Sequence, residues 1–564
     1  MKLAGAFLMA VLFVTSIAFG QVEVKTDFGF NGYYYPDLPT PLSIWIKNEG
    51  SPLRGQLIIG QEVRSPWEGT VEERLIRPFE LAGRLEKLFQ LNFPVHGYIY
   101  PLSISIVTGG RNIYKEEIEL KRRSLEKRLT LAISDAPFPG ELPTGERPLQ
   151  VEPESLPPGW PGLLAVERVY LGRFDPSSLS PEQWLSLVRW LERGGGLVIL
   201  GGDNWYLQDS PRLREILPFK PQEVGQWADR PIVLGEPQGE VIYRQEGFPI
   251  LIAGQRGRGR VVFSTIDPLN SSVGEEFWER LREGVGEGPG LDGERLQLAA
   301  GLLDRLQLPF PSKLTLIGIY SLYLGGLALF GWMTLRRQRL IILLLLWIAG
   351  VSGLAARYID RPEFAKPLVG LELGLAHDLG ETTLHSAWLG LFARADGELR
   401  LPIDIGGRYL VQAIPEERGD HLYDADYLLE RGKTVASFKL RRWQGRAFYL
   451  ERFSKDLASL KVAGGRVIVK NRSSYPLRDC TLFDKGSRGL YLVGDIAPQE
   501  AIERAVGPEA GPPEGALPAR LHSLARGEVV GERALLCTIE PEEFPSLLTE
   551  ERTRVGLALI EEDR

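Results

Sequence analysis

Four aspartates, Asp135, Asp175, Asp203 and Asp267, close apolar segments that read as strands, and Asn204 stands beside the third. Carboxylates gathered at the C-terminal ends of neighbouring strands can hold a hard cation through oxygen and activate water for hydrolysis. Asp135, Asp203 and Asp267 are therefore the candidate metal or acid residues, and a metal-dependent hydrolase is one reading of the chain. The plainer reading, and the expected one, is that an aspartate at a strand end caps the next helix or shapes the next turn. Nucleophilic chemistry has less support. No histidine occurs between His96 and His377, and the two cysteines, Cys480 and Cys537, both lie far downstream. A serine or cysteine nucleophile within 128–285 would lack its base. His96, His377, His385, His421 and His522 are scattered without ligand spacing, so no catalytic residue and no cofactor are expected. Gly201-Gly202 and Gly257-Arg258-Gly259 fit neither the dinucleotide nor the P-loop spacing. Outside the cytoplasm Cys480 and Cys537 can pair, a closure worth about 4 kcal/mol; two separately buried thiols are the competing reading.

The elements that would position these groups follow from periodicity. Residues 22–124 alternate apolar and polar side chains, as in Leu42, Ile44, Ile46 and in Phe89, Leu91, Phe93, and read as an antiparallel β-sandwich. Residues 128–285 change to near-continuous apolar strands, LTLAISD and LVILGGD among them, alternating with helices. Ser180, Pro181 and Gln183 spell a capping box with proline in the first turn. Trp184, Leu187, Val188 and Leu191 form one stripe, and Gly194-Gly195-Gly196 stops the helix. Strand–helix–strand alternation predicts a doubly wound parallel sheet.

WLERGGGLVILGGD, followed later by GQRGRGRVVFSTIDPL, resembles the class I glutamine amidotransferase-like superfamily, in the variant carried by bacterial membrane proteins of unassigned function. The resemblance covers about 150 residues. It implies an amidotransferase-like α/β fold, and the missing cysteine and histidine imply that the domain is degenerate.

Two uncharged apolar runs, 314–335 and 340–356, flank Arg336, Arg337 and Arg339. Each is long enough as a helix to reach across a ~30 Å hydrocarbon core, so a transmembrane hairpin with a cytoplasmic basic turn is expected. Glycines 325, 326, 350 and 353 could let the helices pack closely. Residues 1–20 read as a signal peptide, 286–312 as a linker with a short helix, and 357–564 as a mainly β domain. IKNEGSPLRGQL (46–57) is echoed by VKNRSSYPLRDCTL (469–482), which suggests a second sandwich built on the same turn. The net charge of −7 offers no basic field for nucleic acid. The expected role is a non-catalytic envelope protein in the inner membrane, its domains outside the cytoplasm, with the bilayer and other envelope proteins as partners. Trp160, Trp184, Trp190 and Trp205 leave a carbohydrate or polymer receptor as a further alternative.

Overall fold

The computed structural model describes residues 22–65, 69–97, 99–227, 230–270, 273–286, 313–336, 341–359, 368–379, 382–393, 397–403, 409–414, 425–430, 433–440, 445–455, 458–463, 466–484, 489–505, 533–539 and 553–561. The expected signal peptide, nearly all of the 286–312 linker, Arg337, Arg339, His421 and His522 lie outside these residues. Strands make up 53% of the structure and helices 20%, so the chain is mostly β.

The N-terminal unit comprises β1 (Val22–Phe28), β2 (Pro39–Asn48), β3 (Leu53–Ser65), β4 (Gly69–Leu81), β5 (Leu85–Pro94), β6 (Leu102–Thr108) and β7 (Arg111–Ile118). One sheet has the order β1-β2-β5; the other contains β4-β3-β6-β7. Alternation buries one face of each: Ile44, Ile46, Phe93, Ile104 and Ile106 are inaccessible to solvent. Each such side chain contributes roughly 1.5–3 kcal/mol. The second sheet of the sandwich expected over 22–124 continues into distant strands, as described below.

Next come β8 (Leu129–Ile133), β9 (Leu149–Val151), β10 (Val166–Leu171), α1 (Pro181–Arg193), β11 (Gly196–Leu200), β12 (Phe219–Trp227), β13 (Arg230–Pro237), β14 (Glu240–Gln245), β15 (Phe248–Arg256), β16 (Gly259–Ser264) and α2 (Glu275–Val285). The capping box forms: Ser180 accepts from the Gln183 N–H and Gln183 accepts from the Ser180 N–H. The sheet order is β14-β15-β16-β11-β10-β8-β9, parallel from β9 to β16 and antiparallel beyond. The doubly wound, amidotransferase-like domain is therefore overturned. Among the described residues of this sheet only β10–α1–β11 is a strand–helix–strand unit. The passage from β8 to β10 runs through β9 and short 3-10 turns, and that from β11 to β16 through β12–β13 and β14–β15. Apolar runs identify buried strands but carry no information about how those strands are connected.

The transmembrane hairpin is also corrected. Helices α3 (Lys313–Arg336) and α4 (Ile341–Ile359) occupy the two apolar runs, with Arg336 as the last residue of α3. Among the described residues no helix is long and apolar enough to cross a membrane. The expectation rested on the length of the two runs and their freedom from charge alone. The helices pack on each other. A Cβ on Gly326 would collide with the Trp347 ring, whereas Gly325, Gly350 and Gly353 face open space.

The remaining strands are β17 (Leu368–Asp378), β18 (Thr382–Ala393), β19 (Gly397–Ile403), β20 (Tyr409–Ile414), β21 (Ala425–Glu430), β22 (Lys433–Leu440), β23 (Gly445–Lys455), β24 (Ala458–Ala463), β25 (Arg466–Asn471), β26 (Leu477–Asp484), β27 (Gly489–Ile496), β28 (Ala501–Ala505), β29 (Arg533–Ile539) and β30 (Thr553–Glu561). The last seven repeat the N-terminal topology. Order β24-β25-β28 matches β1-β2-β5, and β27-β26-β29-β30 matches β4-β3-β6-β7. The sequence echo falls on the same step of both units. It is not a hairpin but the crossing from one sheet to the other. Buried Asn48 accepts from the Gly50 N–H at 3.0 Å, as Asn471 does from the Ser473 N–H at 3.0 Å. Each amide then donates to a third segment, Asn48 to the Ala82 carbonyl and Asn471 to that of Ala497.

Strands β17–β23 stand between the repeats and join both. β21 pairs parallel with β4, from Ala425↔Glu73 to Leu428↔Ile76, and β17 pairs parallel with β30. Ala387, Leu389, Phe438 and Phe448 belong to the core of the N-terminal unit, while Trp388 and Tyr449, on the other face of the same strands, belong to that of the parallel sheet.

Candidate functional site

The strand-end aspartates separate into different roles. Asp175 caps the turn after β10, accepting from the Ser177 N–H at 2.8 Å. Asp135 is exposed, and its backbone N–H donates to the Arg173 carbonyl. Asp203, Asn204 and Asp267 do come together, because β11 and β16 are parallel neighbours. Gly202 makes this approach possible: its φ is +62°, and a Cβ there would lie 2.6 Å from the Asp267 nitrogen. Burial raises the Asp267 carboxyl above the usual carboxylate range. The charge of Asp203 adds to that effect, against hydrogen bonds from the Leu269 N–H and Asn204. The Asp267 oxygens accept from the Leu269 N–H at 3.0 Å and the Asn270 amide at 2.9 Å, the geometry of a turn cap. Asp135 does not join them. Among the described residues no group of three or more His, Cys, Asp or Glu is placed to hold a metal ion.

A hydroxyl–imidazole pair occurs elsewhere. His385 Nε2 lies 2.7 Å from Ser454 Oγ across β18 and β23. Burial, reinforced by the charge of Arg452, lowers the imidazole to about 3. A base that weak holds a proton too poorly at neutral pH to activate a serine. The tryptophans do not make a polymer-binding surface: Trp160, Trp190 and Trp205 are buried, and Trp184 packs against the core.

Two constellations escaped the sequence reading. In the first, His96 is held on both ring nitrogens, Nδ1 by Asp37 at 3.1 Å and Nε2 by Glu73 at 2.5 Å. Burial alone would lower its pKa. The Glu73 charge and the hydrogen bonds to Asp37 and Glu73 outweigh that and raise it to about 9. The second joins α1 to the C-terminal strands. Arg193 Nε donates to Glu451 at 2.5 Å and its terminal nitrogen at 3.2 Å, with both side chains almost wholly buried. The Tyr449 hydroxyl also donates to Glu451. The neighbouring residue completes the exchange, since Thr382 donates to buried Glu192 at 3.0 Å. Arg189 lies over the Phe453 ring and Arg193 over that of Trp160. No local signal could have revealed either group, because the partners come from separate segments and, in the second case, from opposite halves of the chain.

Cys480 and Cys537 form a disulfide between β26 and β29.

Several solved structures resemble parts of the chain at low identity. Cytoplasmic protein STM3548 from Salmonella typhimurium is 12% identical over 28% of this chain and 99% of its own, with a TM-score of 0.22. The yeast delta-COP-I mu-homology domain complexed with a Dsl1 peptide is 9% identical over 35% of this chain and 96% of its own, at 0.20. Spo0M, a sporulation control protein from Bacillus subtilis, is 14% identical over 18% of this chain and 49% of its own, at 0.14. No curated protein matches. Residues 21–121, the first of the two topologically equivalent units, match a family described as a domain of unknown function, DUF8726.

Proposed function

We propose that the chain is a non-catalytic scaffold of the cell envelope, its β units fused into one platform that binds other envelope proteins. The observation that carries this reading is the buried Arg193–Glu451 pair. The most deeply buried charges lie where two units meet and fix their union, a structural task. In the nearest approach to an acid site, Asp267 is engaged in shaping a turn and Asp203 is exposed beside it. The Cys480–Cys537 disulfide favours an oxidising compartment, as outside the cytoplasm. Ile317, Leu322 and Leu329 on α3 and Ile341, Ile342 and Leu343 on α4 are exposed over an arc wider than one stripe of each helix. Such broad apolar exposure suits lipid contact better than a single narrow protein face. This part of the reading concerns contact and does not require crossing.

The test is complementation of a deletion strain in the native host. Asp203→Asn combined with Asp267→Asn is expected to restore the phenotype fully. A folded double variant that fails to restore it would overturn the non-catalytic reading. Flotation of purified protein with phosphatidylethanolamine–phosphatidylglycerol vesicles tests the lipid contact, and protein that stays at the bottom of the gradient refutes it.

A further inference from the structure

Of the asparagines in the chain, only Asn31 is followed by glycine. An asparagine in that setting is prone to lose its side-chain amide, because the next residue has no side chain to hinder its nitrogen from reaching the amide carbon. Asn31 and Gly32, at φ +51° and +85°, are the two central residues of a primed turn. Phe30 and Tyr33 close it with reciprocal N–H to carbonyl bonds of 3.0 Å, and the Gly32 N–H donates to the Phe28 carbonyl at 2.9 Å. Asn31 is exposed, yet its Nδ2 donates to the Gln150 carbonyl on β9 at 2.8 Å. β9 is the last strand of the parallel sheet. Phe30 and Leu38, from the same segment as the turn, are seated in that sheet's core. The amide that would leave is therefore held by the docked sheet, and the nitrogen that would attack is held by the turn itself.

We propose that Asn31 is a modification site: docking on β9 guards its side-chain amide, and undocking opens it to conversion into a carboxylate. In the reaction the Gly32 nitrogen gives its proton to solvent and attacks Asn31 Cγ. The new N–C bond closes a succinimide ring. The bond from Cγ to Nδ2 breaks, and Nδ2 takes a proton from solvent and departs as ammonia. Water then opens the ring at either carbonyl, so water is the only co-reactant and the product is aspartate or isoaspartate. Both products lack the N–H that Gln150 accepts, and both set a negative charge against a carbonyl oxygen. Isoaspartate also lengthens the backbone of a two-residue turn, whose length fixes the pairing of Phe30 with Tyr33. Conversion thus weakens redocking. A chain whose N-terminal unit stays off the parallel sheet is marked irreversibly, and a chain that docks promptly is not.

The test incubates the purified full chain at neutral pH, native and in urea. Mass spectrometry of the peptide containing residue 31 reads the conversion, and isoaspartyl methyltransferase labelling reads the lengthened product. Conversion in urea should outrun that in the native chain by about tenfold or more, the factor that ~1.4 kcal/mol of docking carries. Phe30→Ala, which removes the ring seated in the parallel-sheet core, should raise the native rate toward the urea rate. A urea series below the unfolding transition makes the same comparison in wild type, so the result does not depend on how the variant folds. A rise in either arm supports the guard. Asn31→Asp, which installs the product, should speed hydrogen exchange of the Phe30 and Tyr33 amides by about twofold or more, the effect of losing one ordinary hydrogen bond. Equal rates in the native chain and in urea, no conversion in urea, or a native rate raised neither by Phe30→Ala nor by sub-transition urea would each overturn the proposal. Exchange unchanged in Asn31→Asp would overturn it as well, because the Asn31 amide would then hold nothing in place.

Discussion

Replacing Arg193 by methionine isolates the contact on which the scaffold reading depends. In the wild type the guanidinium makes two charge-assisted hydrogen bonds to Glu451 at a site where neither side chain is more than 1% exposed. Methionine fills much of the volume, so the substitution chiefly removes a charge. It leaves the Glu451 carboxylate buried without its cation, and breaking one side of such a pair costs about 3–5 kcal/mol. The whole chain is too large for a single unfolding equilibrium, so the measurement should be local. Amide hydrogen exchange of Thr382–Ala393 and Gly445–Lys455, the strands around Glu451, reports their opening directly. A loss of that size accelerates exchange by roughly two to four orders of magnitude, at ~1.4 kcal/mol per factor of ten. Glu451→Leu added to Arg193→Met should recover most of the loss, because an apolar pair of similar volume is often as stable as a buried ion pair. Exchange unchanged in the single variant would mean that the pair does not hold α1 to these strands. A double variant as damaged as the single would assign the loss to packing and refute the electrostatic argument.

The His96 clamp predicts a pH dependence. With its pKa raised from 6.5 to about 9, its stabilisation is complete below pH 6.5 and is lost as pH rises through about 9. The full effect is about 3 kcal/mol at ~1.4 kcal/mol per unit. Melting of the N-terminal unit between pH 6 and 10 should converge on that of His96→Gln at the alkaline end, and parallel curves would contradict it. Cys480→Ser with Cys537→Ser should cost the C-terminal unit about 4 kcal/mol, given a sequence separation of 57, and dithiothreitol should reproduce the loss in urea titrations. Because burial raises the Asp267 carboxyl, its charged form is disfavoured in the fold, and stability should rise as pH falls through that raised pKa. Asp267→Asn should remove this dependence at a cost under about 1 kcal/mol at pH 7, since asparagine still accepts from the Leu269 N–H. A loss of several kcal/mol would point to a role beyond the turn.

Legibility in the sequence followed the range of the interactions. The capping box at Ser180 and the glycine stop at Gly194 form as their spacing predicts, because each involves residues within one turn. Alternation at Leu42–Ile46 and Leu102–Ile106 marks buried strand faces for the same local reason. The echo at Asn48 and Asn471 was visible as a turn, but the crossing between sheets that it makes was not. The amidotransferase-like expectation failed where connectivity decides. LTLAI, GLVIL and GRVVFS are strands of one sheet, but α1 before GLVIL is the one long helix between them, and GLVIL and GRVVFS are linked largely through further strands. Of the aspartates, Asp203 and Asp267 converge because their strands are adjacent, a fact of sheet order that no spacing records. Arg193 and Glu451 stand 258 residues apart with nothing local to link them, and the fold alone buries both together.

The β4–β21 pairing gives the polypeptide a problem of timing. About 350 residues separate Ile76 from Leu428, so the ribosome completes β4 long before the strand that covers its outer edge exists. At ~5–20 residues per second the gap is roughly 20–70 s. Throughout that interval β4 presents an uncovered ladder of N–H and C=O groups, the kind of edge on which unrelated chains nucleate aggregates. Safe production of this protein therefore depends on something shielding a half-made sheet. A slowed ribosome or a scarce chaperone should cause misassembly at β4 even when the finished fold is fully stable.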